Sequence, residues 1–150
     1  MTAGQEHLEA QCSSWVRLFS ELDRNGVPTL ERLSEIAVKD VRFSDPFNDV
    51  HGLASMQRVL EHTHRHVRSV RFYVHDTAWS GTTAYVRWTM TGHVRLVGEW
   101  CVEGMSEIRF ADDGRVASHL DHWDAASQFY GHLPVIGWLL RRIAASARVS

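Results

Sequence analysis

A chain of 150 residues with 44% hydrophobic content and a formal net charge of −2 is the size of one domain, residues 1–150, whose core buries about 68–70% of the unfolded surface. That charge balance excludes the basic field on which nonspecific nucleic-acid binding depends, so no nucleic-acid partner is expected. The apolar runs fall well short of the about 20 residues that cross a bilayer, and the start, Met-Thr-Ala-Gly-Gln-Glu-His, lacks a basic-then-apolar export signal, which predicts a cytoplasmic protein with no membrane partner.

From Leu8, the positions Leu8, Cys12, Trp15, Phe19 and Leu22 recur at three- and four-residue steps, the spacing of one helical face. Asn25-Gly26 ends that helix, and Thr29 is placed to cap a second with Leu30, Leu33, Ile36 and Ala37 facing inward. A short strand then runs into the turn Phe43-Ser-Asp45-Pro-Phe47. A third helix covers Gly52 to about Arg65, apolar on the side of Leu53, Met56 and Leu60. From Ser69 the period falls to two. Runs from Ser69, from Ala84 to Gly92, from Glu99 to Phe110 and from Val116 to Trp123 are joined by short turns such as Ser80-Gly81-Thr82 and Asp112-Asp113-Gly114, which implies antiparallel neighbours. The tail from Ala125 to Ala145 is helical in pattern with a break at Pro134.

Helices followed by a meander of strands predict an α+β domain, a cone-shaped curled antiparallel sheet packed against N-terminal helices with a C-terminal helical tail and a pocket at the open mouth. Strand alternation places His119, Asp121 and Trp123 on one face of the last strand, with Val86 and Trp88, then Trp100, Val102, Gly104 and Ser106, on the matching faces of the two before it. Gly104 would admit a ligand or a sharp bend. An apolar cavity with few polar groups is the usual form of a small-molecule site, so the expected partner is a small apolar molecule. Two roles compete for Asp45: a turn acid bonded to its own backbone, or an acid desolvated between Phe43 and Phe47 whose pKa rises toward the range useful for proton transfer. His119 and Asp121 likewise form either a structural pair or part of the site. Cys12 and Cys101 stand alone and are expected to be reduced packing residues. His62 and His66 have the i, i+4 spacing of metal ligands without further ligands beyond Glu61, so neither a metal nor an organic cofactor is expected.

The order of helices, the Asp-Pro-Phe turn, the helix from Gly52 and a last strand reading His-x-Asp-x-Trp-Asp resemble the SnoaL-like branch of the nuclear-transport-factor-2-like superfamily, alongside ketosteroid isomerases. The resemblance covers almost the whole chain. It implies that Asp45 stands where those isomerases hold their general base and Trp123 where they hold a pocket tryptophan. Leu18 and Ser106 then occupy the places of the oxyanion-binding tyrosine and protonated aspartate, which disfavours a true steroid isomerase, since one lost donor costs about 10²–10³ in rate. SnoaL-type polyketide cyclases use a final-strand aspartate, here Asp121, as acid and base. The limonene epoxide hydrolases add an Arg-x-Asp, against which this chain has Arg87-Trp88-Thr89, so epoxide hydrolysis is disfavoured.

These readings give a cofactor-independent isomerase, cyclase or lyase with Asp45, Asp121 and His119 as catalytic groups. Trp15, Phe19, Phe43, Phe47, Val86, Trp88, Trp100, Val102, Ser106 and Trp123 would form the substrate-binding walls. The alternatives are a non-catalytic ligand-binding or dimeric protein-interaction module, and a structural subunit with a packed cone. The resemblance also implies a homodimer through the outer sheet face, where Tyr85, Arg87, Cys101, Glu103, Met105 and Glu107 project.

Overall fold

The computed structural model describes residues 3–149. The first helical stripe becomes α1 (Ala3–Ser20), with Cys12 and Trp15 buried and Leu8, Val16 and Phe19 packed beside them; Leu22 is buried at the start of the one-turn α2 (Leu22–Asn25). The Thr29 hydroxyl accepts from the Arg32 amide at 3.2 Å and caps α3 (Leu30–Ile36). Leu33 and Ile36 point into the core, but Leu30 is exposed, because the helix spans only seven residues and its first turn overhangs the body.

The strands β1 (Ala37–Ser44), β2 (Asp49–His51), β3 (Val67–Ser80), β4 (Thr83–Val94), β5 (Gly98–Phe110) and β6 (Val116–His122) form one curled sheet in the order β2-β1-β6-β5-β4-β3. Helix α4 (Leu53–His66) connects β2 to β3. Four of the five pairings are antiparallel, but β1 runs parallel to β6, so the sheet is mixed. Alternation reveals which face a side chain takes and is silent on which strand lies alongside. Register shifts between Arg68 and Arg71, where Ser69 has φ 54°, and between Val74 and Asp76 bend β3 against β4 and curl the sheet.

The tail consists of α5 (Ala125–Gln128), a single 3-10 turn (Tyr130–His132) and α6 (Pro134–Ser146). Pro134 opens α6, where a missing N–H leaves nothing unbonded. A Cβ at Gly137 would overlap the carbonyl oxygen of Gly131, and Arg141 Nη1 donates to that same oxygen at 2.7 Å. Val135, Ile136, Trp138, Leu139 and Ile143 face outward and are exposed. Where β6 ends, the Gln128 side chain takes over its pairing: Oε1 accepts from the Glu103 amide at 2.6 Å and Nε2 donates to the Glu103 carbonyl at 3.1 Å.

The two cysteines differ. Cys12 is buried and burial pushes its thiol up to about 11, whereas Cys101 lies exposed on the outer sheet face and is not a packing residue.

Candidate functional site

Five side chains from α1, β4, β5 and β6 form one hydrogen-bonded relay. Trp15 Nε1 donates to His119 Nδ1 at 2.8 Å, and Trp88 Nε1 donates to Ser106 Oγ at 2.8 Å. An indole nitrogen only donates, so each bond has a fixed direction. His119 must carry its proton on Nε2, which donates to Asp121 Oδ1 at 2.6 Å; Ser106 passes its own hydroxyl proton to the same oxygen at 2.5 Å. Both arms therefore end on one oxygen of one carboxylate. Asp121 Oδ2 accepts no protein hydrogen bond among the described residues.

Register explains the convergence. Phe43 pairs with His119 across β1 and β6, while Ser106 pairs with Asp121 and Ile108 with His119 across β5 and β6. The imidazole lies between Phe19 and Phe43, with centroids 5.1 and 5.2 Å away. Gly104 pairs with Trp88, and a Cβ there would meet the indole ring at 2.7 Å. The open space at Gly104 therefore receives Trp88 and lets its N–H reach Ser106, in place of the ligand or bend that the glycine suggested.

Asp45 begins the loop closing the β1–β2 hairpin. Its Oδ1 accepts from the amides of Phe47 at 2.8 Å and Asn48 at 2.7 Å and from Asn48 Nδ2 at 3.0 Å, an Asx turn. The fork of Arg42 holds Asp49 through two 2.9 Å bonds at the loop's far side. Burial raises the Asp45 carboxyl above its ordinary value, the Phe47 and Asn48 donors oppose that rise, and the charge on Asp121 adds to it. Asp45 is thus both of the things its sequence allowed: a turn acid and an acid on the cavity wall.

The cavity has a volume of about 720 Å³ between α4 and the concave face of the sheet. Phe19, Phe43, Phe47, Trp88, Trp100, Val102 and Trp123 line it, together with Asp45 and Asp121. Phe47, Trp100, Trp123, Phe129 and Tyr130 form a linked set of edge-to-face rings, with Phe47 to Trp123 at 5.4 Å and Phe47 to Phe129 at 5.2 Å. His119, Ser106 and Val86 do not reach this cavity; they bound a narrow recess of about 30 Å³ that Asp121, Trp88, Phe19 and Phe72 share with it. Trp15 is 0% exposed and touches neither space, so it is an anchor for His119 and not a wall. Leu18 lies on a separate outer cleft of about 430 Å³ with Arg17, Val27 and Arg32, away from the acids. Arg87 projects from the opposite sheet face and pairs with Asp76 at 3.1 Å.

Several lining residues escape sequence reasoning. Phe129 and Tyr130 sit in the tail, whose aromatic spacing identifies a helix and not its docking place. Ser55, Arg58, His62 and His66 line the cavity from α4, although a polar helix face reads as a solvated one. The His62 and His66 rings stack at 4.1 Å, and His66 Nδ1 donates to the His62 carbonyl at 2.9 Å.

Comparison with known proteins bears on the family and the fold. Residues 15–119 match the profile of the SnoaL-like domain family, a span that includes Asp45, Ser106 and His119 and stops short of Asp121. No curated protein matches the sequence. Among solved structures, an NTF2-like protein from Anabaena variabilis ATCC 29413 superposes with a TM-score of 0.70 at 11% identity, covering 85% of this chain and 97% of that one. A steroid delta-isomerase from Pseudomonas aeruginosa gives 0.61 at 21% identity, covering 94% and 93%. A protein with a ketosteroid isomerase-like fold from Catenulispora acidiphila DSM 44928, solved in complex with trimethylamine, gives 0.67 at 13% identity, covering 82% and 95%. At these identities the likeness is one of fold. No described helix is long and apolar enough to cross a membrane.

Proposed function

Because this chain belongs to the SnoaL-like domain family, we propose that it is a cofactor-independent enzyme binding an apolar, carbonyl-bearing small molecule and moving a proton at the carbon beside that carbonyl. The observation that carries the reading is the convergence of His119 Nε2–H and Ser106 Oγ–H on Asp121 Oδ1, with Oδ2 left unbonded. The Asp121 side chain is 17% exposed and lines the cavity, so the oxygen that the relay leaves unbonded is open to a molecule bound there. Here the relay fixes the carboxylate and leaves one oxygen free for a ligand.

In this reading Asp121 Oδ2 takes the proton from carbon, the pair of that C–H bond becomes the C=C bond of an enolate as the carbonyl π pair moves onto oxygen, and in the second half the carbonyl re-forms as the proton is returned to another carbon or to a leaving group whose bond to carbon breaks. Asp45 is the second acid; the two charges oppose one another, which separates an acid from a base. The enolate oxygen needs a donor. Trp123 and Tyr130 line the cavity, and neither the indole N–H nor the phenol donates to a protein group among the described residues.

Solvent-deuterium incorporation into a bicyclic enolisable ketone such as 2-tetralone, followed by NMR, tests the reading. Wild-type protein accelerates exchange, and Asp121→Asn reduces the rate by about 10²–10⁴, the range for a positioned proton-transfer group. Equal exchange by wild type and variant sinks the proposal.

A non-catalytic ligand-binding module is the second reading. It is favoured by Ser106, which spends its hydroxyl proton on Asp121 and so offers no oxyanion donor. Under it, Asp121→Asn changes no turnover and leaves ligand affinity intact. In both readings the outer sheet face, with Tyr73 51% and Met105 40% exposed, serves as a homodimer contact.

A further inference from the structure

The two walls of the cavity carry opposite charge. Asp45 and Asp121 lie at the end of β1 and on β6, and they are the lining acids. Across from them α4 presents Ser55, Arg58, His62 and His66, a helical stripe at steps of three and four. Arg58 is the one arginine or lysine on the lining among the described residues. Its exposed side chain donates to Ser55 Oγ at 2.9 Å and meets no carboxylate among the described residues. Glu61, on the same helix, does not pair with it. A guanidinium held by a serine at the edge of an apolar cavity has its remaining N–H donors free in a fork that matches a carboxylate.

We infer that the ligand is an apolar monoanion whose carboxylate is held by Arg58, with His62 as a further donor, while its apolar body reaches the sheet wall and the acids. The inference rests on the cavity being the ligand site and adds the charge of the ligand. It also gives the ligand a direction. An anionic group is repelled from the wall of Asp45 and Asp121 and attracted to α4, so the reacting end of the molecule faces the acids in one orientation only.

Fluorescence titration of the full chain with 1-pyrenebutyrate and its primary amide tests this. The two probes share an apolar body and differ in charge. The carboxylate binds about tenfold more tightly than the amide, the scale of one charge-assisted hydrogen bond; the preference shrinks as salt is raised and disappears in Arg58→Gln, whose amide affinity stays at the wild-type value. Equal affinity for the two probes overturns the inference and leaves the cavity as a neutral-ligand site, and a carboxylate preference that survives in Arg58→Gln overturns it too. Failure of both probes to bind wild-type protein overturns the cavity reading itself. Loss of amide as well as carboxylate binding in Arg58→Gln also counts against the inference, because it assigns Arg58 a role in shape and not in charge.

Discussion

The Trp15 indole N–H donates to His119 Nδ1 at 2.8 Å across 104 residues of sequence, joining the first helix to the last strand inside the core. This bond and the acceptor-only Asp121 carboxylate agree on which imidazole nitrogen holds the proton, so His119 is a donor toward Asp121. Trp15→Phe keeps an aromatic ring and removes the donor. Loss of that bond leaves a buried acceptor unsatisfied and a gap beside it, which predicts about 2–4 kcal/mol of destabilisation in urea unfolding. In nitrogen-15 spectra the Nδ1 resonance of wild-type His119 has the shift of a hydrogen-bonded acceptor, and in the variant it moves to that of an unbonded one. An unmoved Nδ1 resonance would mean that Trp15 only fills space.

Asp45 makes stability depend on pH in a defined direction. Burial first, and then Asp121, raise its carboxyl above the ordinary value of 3.8 in the folded chain. A carboxyl with a raised folded pKa binds its proton more tightly when folded, so its contribution is complete below the ordinary value and is lost as pH rises through the folded one. Asp45→Asn removes this titration, while its side-chain oxygen still accepts from Phe47 and Asn48. Relative to wild type, the variant therefore gains stability from pH 3 upward and levels off above the folded pKa. Urea midpoints of both proteins at pH 3, 5 and 7 measure this; an offset independent of pH, or one of opposite slope, contradicts it.

The outer sheet face gives a prediction about assembly. Sedimentation of the wild-type chain at micromolar concentration gives a dimer, and Met105→Lys places a charge in the centre of the contact and gives a monomer. A wild-type monomer removes the idea.

Alternation along β4 and β5 made the inner face legible in the sequence, since their buried and open positions change places at almost every residue. The helical stripe of α1 and the caps at Thr29 and Pro134 were legible for equally local reasons. The parallel neighbour of β1 was not, because no local pattern encodes it. Within the site, Asp45, Asp121 and Trp123 were found by residue type and parity. Trp15 was read as a wall because its size and position on α1 suit a wall; that its N–H is used on His119 depends on an approach between distant segments. Arg58 is exposed, as its polar helix face implies; that this face borders the cavity depends on how α4 packs and is not encoded locally.

The contact of Gly131 with Gly137 is made by backbone alone, and the Arg141 bond to the Gly131 carbonyl reinforces it. The attachment of α6 therefore takes nothing from Val135, Trp138, Leu139 or Ile143. Those outward positions can thus change in size, polarity or charge without touching the contact that holds the helix to the turn before it.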